Sequence, residues 1–308
     1  MMLKPRALKP GDRLAVVAPG SPFTREEFDQ GIDEIRRLGF VPVYDDTVFA
    51  RDRYVAGPPE VRAAAIHAAW RDESIAGLIG VRGGYGSVQL LPLLDRDQAR
   101  RARKPFIGYS DLTSVITFLT IGCKLVAFHG PMLAGRLSRG AAGYDRDSFV
   151  QAVCGREPMG ELAPAGLETI RAGEASGPLL GGTLTQVLAS IGTPFAFAPP
   201  AGYILFLDEV GERPYRLDRM VTQLRQTGLL ALASAVVVGE LPKCDEPSGD
   251  PTARAVMADL LRDCGGPVII GFPSGHTTGA ALTLPFGVSC RVVANRRPRI
   301  VIEEAAVE

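Results

Sequence analysis

Short apolar runs alternate with segments of helical spacing through the first 130 residues, and this alternation constrains the fold more than any other feature. Leu14–Ala18, Val41–Val43, Ala76–Val81, Pro105–Gly108 and Leu125–Phe128 have the length and character of buried strands. The first crossover is the clearest. Pro19, Gly20, Ser21 and Pro22 close the first run, Thr24 to Glu27 has capping-box spacing, and Phe28, Ile32, Ile35 and Leu38 recur at helical intervals until Gly39 ends the pattern. Pro58-Pro59-Glu60 opens an alanine-rich helix that runs through Trp70, and a further helix is expected near Leu112 to Ile121. Parallel neighbours need crossover connections, so the pattern predicts a doubly wound α/β domain, a parallel sheet with helices on both faces. In such sheets the working loops lie beyond the carboxyl ends of strands, where Gly83-Gly84 and Ser110 both fall.

A chain of 308 residues is near the size at which one core divides into two. From about Gly140 to Ala175 the periodicity fades and Gly, Pro and acidic residues accumulate, which marks a connection. The expected organisation is an amino-terminal α/β domain over 1–140, a connecting region over 141–175, and a smaller strand-rich carboxyl-terminal domain over 176–308. The last of these shows apolar runs at Tyr203–Leu207, Ala235–Val238, Val268–Ile270, Arg291–Val293 and Ile300–Ile302, and one strong helix over Tyr215–Gln226.

Lys and Arg total 34, as do Asp and Glu, and the balanced charge removes any general pull toward nucleic acid or anionic membrane. The cysteines are odd in number, five, without a CxxC pair, which suggests neither a disulfide framework nor a thiolate zinc site, and points to a reducing compartment. Charge and proline in the opening MMLKPRALKPGDRLAVV, and the absence of an apolar run near the ~18 residues of a membrane span, lead us to expect a cytoplasmic protein. No cysteine or histidine cluster has metal-ligand spacing, so no metal or cofactor is expected.

Within this frame Ser110, in GYSDLTS, stands where a strand meets a helix. A serine there can cap the helix, or it can be a nucleophile held on a sharp turn with backbone N–H groups pointing past it. The elbow pattern GxSxG is half present, because Leu112 occupies the last glycine position. A nucleophilic serine needs a base. Of three histidines, His67 lies inside the alanine-rich helix, His129 ends the LVAF run, and His276 lies in the polar, glycine-containing loop GFPSGHTTGA, the better context for a base. Asp208 and Glu209 end the YILFL run and supply a carboxylate to orient the histidine. Because neighbouring strand residues face opposite ways, at most one of the two can do so. The order serine, acid, histidine matches one known triad arrangement. Gly83-Gly84-Tyr85-Gly86 lacks the spacing of a dinucleotide fingerprint. A double glycine at a strand end instead lets a bare backbone N–H approach an oxyanion, with the N–H of Asp111 as second donor.

Together LKPGDRLAVVAPGSP, GVRGGYGS, IGYSDLT, FHGPM, LGGTL, LFLDEVGERPYRLDRM and GFPSGHTTGAALTLPFG, which span nearly the whole chain, resemble the serine peptidase family of L,D-carboxypeptidases and microcin C self-immunity proteins. The resemblance implies Ser110 as nucleophile, His276 as base, and oxyanion donors at Gly84 and Asp111. That family usually places glutamate directly after the L-F-L strand, where this chain has Asp208. Alignment favours Asp208, and Glu209 stands as the alternative. The implied substrate is a murein tetrapeptide, cleaved between meso-diaminopimelate and the terminal D-alanine in cell-wall recycling by a cytoplasmic homodimer. Arg82 is the candidate cation for the peptide's carboxylate, with a solvated loop arginine as the plainer reading. Rival functions are hydrolysis of a peptidyl-nucleotide antibiotic and, in another class, a non-enzymatic two-domain binder in which Ser110 only caps a helix.

Overall fold

The structure is a computed structural model describing residues 2–308. Strands β1 (Arg13–Val17), β2 (Val41–Val43), β3 (Ile75–Gly80), β4 (Phe106–Gly108) and β5 (Ala127–His129) form a parallel sheet in the order β5-β4-β3-β1-β2. The first crossover helix, Arg25–Arg37, starts as expected: the Thr24 hydroxyl accepts the Glu27 N–H at 3.2 Å. Just past its carboxyl end, after the C-cap Leu38, Gly39 adopts φ 91°. The helix expected over Leu112–Ile121 is a short α-helix, Thr113–Thr117, that widens to a π turn over Phe118–Gly122.

The remaining strands are β6 (Gly160–Leu162), β7 (Glu168–Arg171), β8 (Gly173–Thr183), β9 (Tyr203–Asp208), β10 (Ala233–Gly239), β11 (Val268–Phe272), β12 (Leu284–Phe286), β13 (Ser289–Ala294) and β14 (Arg299–Ile302). All but β12 join a second sheet in the order β6-β14-β13-β8-β9-β10-β11-β7, whose middle, β8 to β11, is parallel. β12 instead returns to the first sheet as an antiparallel edge on β5. The second sheet, at eight strands, is thus wider than the first with six.

The segment 141–175 is more ordered than its composition suggests. It carries a helix, Arg146–Cys154, whose N-cap Asp145 accepts the Ser148 N–H, and it contributes β6, β7 and the start of β8. β6 and β7 are short edge strands of mixed polarity, so no apolar run announces them. β8 is hidden for another reason. A side chain at Gly181 would collide with the Phe206 carbonyl, and one at Gly182 would begin 2.5 Å from Thr113 Cγ2. Glycine here permits close backbone approach and erases the usual strand signature.

Side-chain alternation along β9 joins the two halves. Ile204 and Phe206 face the core shared with the amino-terminal sheet. Tyr203, Leu205 and Leu207 face a second core, which includes residues of helices Pro214–Gln226 and Ala253–Leu261. Each such buried side chain contributes roughly 1.5–3 kcal/mol, so a one-residue slip of β9 would exchange both cores. With that register, Asp208 follows Phe206 on the inner face and Glu209 follows Leu207 on the outer one. No described helix is long and apolar enough to cross a membrane.

Candidate active site

Ser110 follows β4 and Tyr109 with φ 62°, a left-handed conformation that costs an L-residue roughly 1–2 kcal/mol. The turn is tight because its surroundings carry little side chain. A Cβ at Gly80 or Gly108 would run into Leu112 Cδ1. Leu112 therefore occupies the last position of the elbow pattern, and the space it needs is supplied by glycines on β3 and β4. Ser110 does not cap the helix: neither the 3₁₀ turn Ser110–Leu112 nor the helix Thr113–Thr117 has a side-chain cap. Its Oγ lies 3.1 Å from His276 Nε2 instead.

The imidazole is held from behind. Asp208 Oδ2 accepts the His276 backbone N–H at 2.8 Å and contacts Nδ1 at 2.6 Å, and Asp208 Oδ1 accepts the Thr183 hydroxyl at 2.8 Å. Burial by itself would raise the Asp208 carboxyl. The charge of His276 and the contacts of His129 and His276 overcome that and hold it well below the usual carboxylate range. Glu209, although it lines the cleft, turns its carboxylate away: Oε2 accepts the Thr185 N–H at 2.9 Å and hydroxyl at 2.6 Å, and Oε1 accepts the Val210 N–H at 3.0 Å. Burial pushes the Glu209 carboxyl up, against the pull of Thr185.

The glycine loop packs on the elbow. Asp111 is buried, and its side chain accepts the N–H groups of Gly86 at 3.2 Å and Ser87 at 2.8 Å, while Ser87 Oγ donates to the Asp111 carbonyl at 2.6 Å. Burial raises the Asp111 carboxyl, with these donors opposing. Ser21 fastens the other side, donating its N–H to the Gly83 carbonyl at 2.8 Å and accepting the Tyr85 N–H at 3.0 Å. A Cβ at Gly83 would stand 2.9 Å from Ser110 Cβ, 3.1 Å from Oγ and 3.2 Å from the Asp111 nitrogen. The missing side chain thus leaves a cradle of atomic size between the hydroxyl and a backbone N–H.

Ser110, His276, Gly83, Gly84, Asp111 and Arg82 line one cleft of about 510 Å³, within the range of small-ligand sites. Arg82 is exposed on its wall and donates to the Pro22 carbonyl at 2.9 Å. His67 stays on its helix, bonded to Gln98 and, at 2.9 Å, to the Leu93 carbonyl. His129 is fully buried behind Asp208 and reaches neither Ser110 nor the cleft lining. Sequence reasoning overlooked Arg136, a buried guanidinium that donates to the carbonyls of Gly275 (2.7 Å), Thr277 (3.0 Å), Gly279 (3.0 Å) and Gly143 (3.2 Å). It staples the His276 loop to the amino-terminal half. The only signal available in sequence was its closeness to FHGPM.

A strained serine at a strand end, backed by an imidazole and a carboxylate, is the arrangement of serine-type acyl transfer, and comparison with known proteins gives the class: the chain is a serine peptidase. The LD-carboxypeptidase amino-terminal domain model matches residues 14–130 and the carboxyl-terminal domain model residues 176–292. The chain belongs to this LD-carboxypeptidase family. A Streptomyces coelicolor protein named "Putative carboxypeptidase" is 36% identical, over 96% of this chain and 94% of its own length. The murein tetrapeptide carboxypeptidase of Pseudomonas aeruginosa is 29% identical over 92% and 94%. Among solved structures, a microcin C7 self-immunity protein in complex with aspartyl sulfamoyl adenosine superposes with a TM-score of 0.90 over 99% of this chain and 100% of its own, at 23% identity, a likeness of fold.

Proposed function

We propose that this chain is a serine-type L,D-carboxypeptidase that removes the terminal D-residue of a murein tetrapeptide. Ser110 acts as nucleophile, His276 as general base and then acid, and Asp208 as the carboxylate that orients it. The observation that carries the reading is the 3.1 Å approach of Ser110 Oγ to His276 Nε2, made by a serine held at φ 62° beside the Gly83 cradle. Helix capping would require neither the strain nor the imidazole.

In the proposed reaction Ser110 Oγ attacks the peptide carbonyl as its proton passes to His276 Nε2. Asp208 holds the Nδ1–H tautomer and stabilises the imidazolium that forms. The developing oxyanion enters the cradle, where the N–H groups of Asp111 and Gly84 are the assigned donors. His276 then gives its proton to the leaving amine of the D-residue, and water, deprotonated by His276, releases the acyl group. We assign Arg82, on the cleft wall, to the carboxylate of the departing residue. The tetrapeptide assignment draws on the Pseudomonas aeruginosa relative's name. On resemblance alone we extend it to a cytoplasmic homodimer acting in cell-wall recycling, with units dividing near 140 and 176.

A fluorophosphonate probe and a peptide panel test the reading. Labelling confined to Ser110, with D-alanine released from the tetrapeptide, is expected. Labelling without release, together with cleavage of aspartyl sulfamoyl adenosine, would move the assignment to peptidyl-nucleotide hydrolysis. No labelling would leave a binding module.

A further inference from the structure

Of the two histidines that the proposed reaction leaves without a task, His67 stays on its outer helix, whereas the setting of His129 is unusual. The residue is wholly buried, stacked on Phe286 with ring centroids 5.2 Å apart and tilted against Phe206 at 5.1 Å. Nδ1 lies 3.1 Å from Ser274 Oγ, which itself lies 2.8 Å from the Leu282 carbonyl. Nε2 has no hydrogen-bond partner within normal range, yet it points at Asp208 Oδ1 from 3.7 Å, with both side chains at 0% exposure. Gly275 passes through this space, and a side chain there would start 2.5 Å from His129 Cε1 and collide with Asp208 Oδ2. The glycine that precedes His276 thereby lets one carboxylate stand between two imidazoles.

The hydrogen-bond inventory restricts where protons can lie. Ser274 owns one hydroxyl proton. If it goes to the Leu282 carbonyl, the nearer acceptor, then Nδ1 of His129 must donate to Ser274. If it goes to Nδ1, then Nε2 carries the ring proton. A neutral ring protonated only at Nδ1 would aim the Nε2 lone pair at a buried carboxylate with no donor between them, the worst case for a buried polar pair. Both remaining states, the Nε2–H tautomer and the imidazolium, place a proton on Nε2.

We infer that His129 is a positioning residue for the reaction proposed above: its Nε2–H faces Asp208 Oδ1, and with the Thr183 hydroxyl it fixes the carboxylate so that Oδ2 presents to His276. The inference rests on the Ser110–His276–Asp208 assignment. In this chain the shorter aspartate stands at the strand end, so its carboxylate depends on donors from behind to keep its orientation.

The experiment has one arm on the unaltered protein and one on variants. In ¹⁵N-histidine-labelled protein at neutral pH, Nε2 of His129 should show a pyrrole-type, proton-bearing shift. A pyridine-type Nε2 overturns the inference, whether or not any variant folds. For the second arm, the Gln amide reaches where His Nε2 stands, whereas the Asn amide reaches only where Nδ1 stands. His129→Gln should preserve the rate of fluorophosphonate labelling at Ser110 and the downfield His276 Nδ1–H resonance. His129→Asn should slow labelling by about tenfold or more, lower kcat and not raise KM, and move that resonance. Equal rates in the Gln and Asn variants would reduce His129 to core packing. Failure of the unaltered protein to be labelled would instead count against the serine mechanism, while the nitrogen shift would still decide where the proton lies.

Discussion

The Ser110 turn and the His276 loop meet at 3.1 Å but are built by opposite means. The turn is made by backbone: a left-handed serine, glycines at 80 and 108 whose space Leu112 fills, and Gly83, whose missing side chain leaves the cradle open. All of it comes from a stretch of about thirty residues. The loop is made by side chains from distant parts of the chain, with Asp208 on its imidazole, Arg136 on three of its carbonyls and Glu240 accepting the Thr278 N–H at 2.8 Å. The proposed nucleophile is thus set by local sterics, whereas the proposed base is set by long-range hydrogen bonding. Damage to the first should appear in the chemistry, and damage to the second in placement.

The sharpest break of this contrast is Ser110→Ala, for which we expect a loss of about 10⁶-fold in turnover at unchanged melting temperature, since no cap bond is lost. A lowered melting temperature with retained turnover would return the residue to capping. Next, Asp208→Asn should cost about 10⁴-fold in kcat with the fold kept, measured beside Glu209→Gln; inverted ranks would mean that β9 is displaced by one residue. Gly83→Ala should cost about 10²–10³-fold in kcat, because the new methyl fills the cradle beside Ser110 Oγ. Arg136→Ala should cost about 10²-fold through misplacement of the base, partly restored in Arg136→Lys. Full activity in Arg136→Ala would show that the loop is as locally determined as the turn.

The smallest effect belongs to Glu209→Gln, with turnover within a few-fold and a change chiefly in stability against pH. Burial raises the folded-state pKa of Glu209, so the folded protein holds this proton to higher pH than the unfolded chain does. Its contribution to stability is therefore greatest at low pH. It falls as pH rises from the ordinary glutamate value of about 4.3 through the folded-state value, and is constant above. Glu209→Gln should flatten the melting-temperature profile over that window. An unchanged slope would show that the carboxyl is not destabilised by burial.

Sequence alone carried the five parallel strands of the first sheet, because each is an apolar run and their crossovers carry helix-start and helix-stop signals, such as Thr24 and Gly39. It also carried the serine at the strand–helix junction and the order serine, acid, histidine. These are local facts of periodicity, capping and backbone conformation, and they are written in neighbouring residues. Packing decided the rest. Asp208 rather than Glu209 meets His276 because β9 sorts alternate side chains between two cores, and only the folded chain says which face meets the His276 loop. His129 lost its claim to be the base when β12 closed over β5 and enclosed the ring. β8 escaped notice because its glycines serve contacts with Phe206 and Thr113, and Arg136 because its partners lie up to 143 residues away. A residue whose purpose is a long-range contact leaves no mark on its own neighbourhood in the chain, which is why these features were decided only by the tertiary structure.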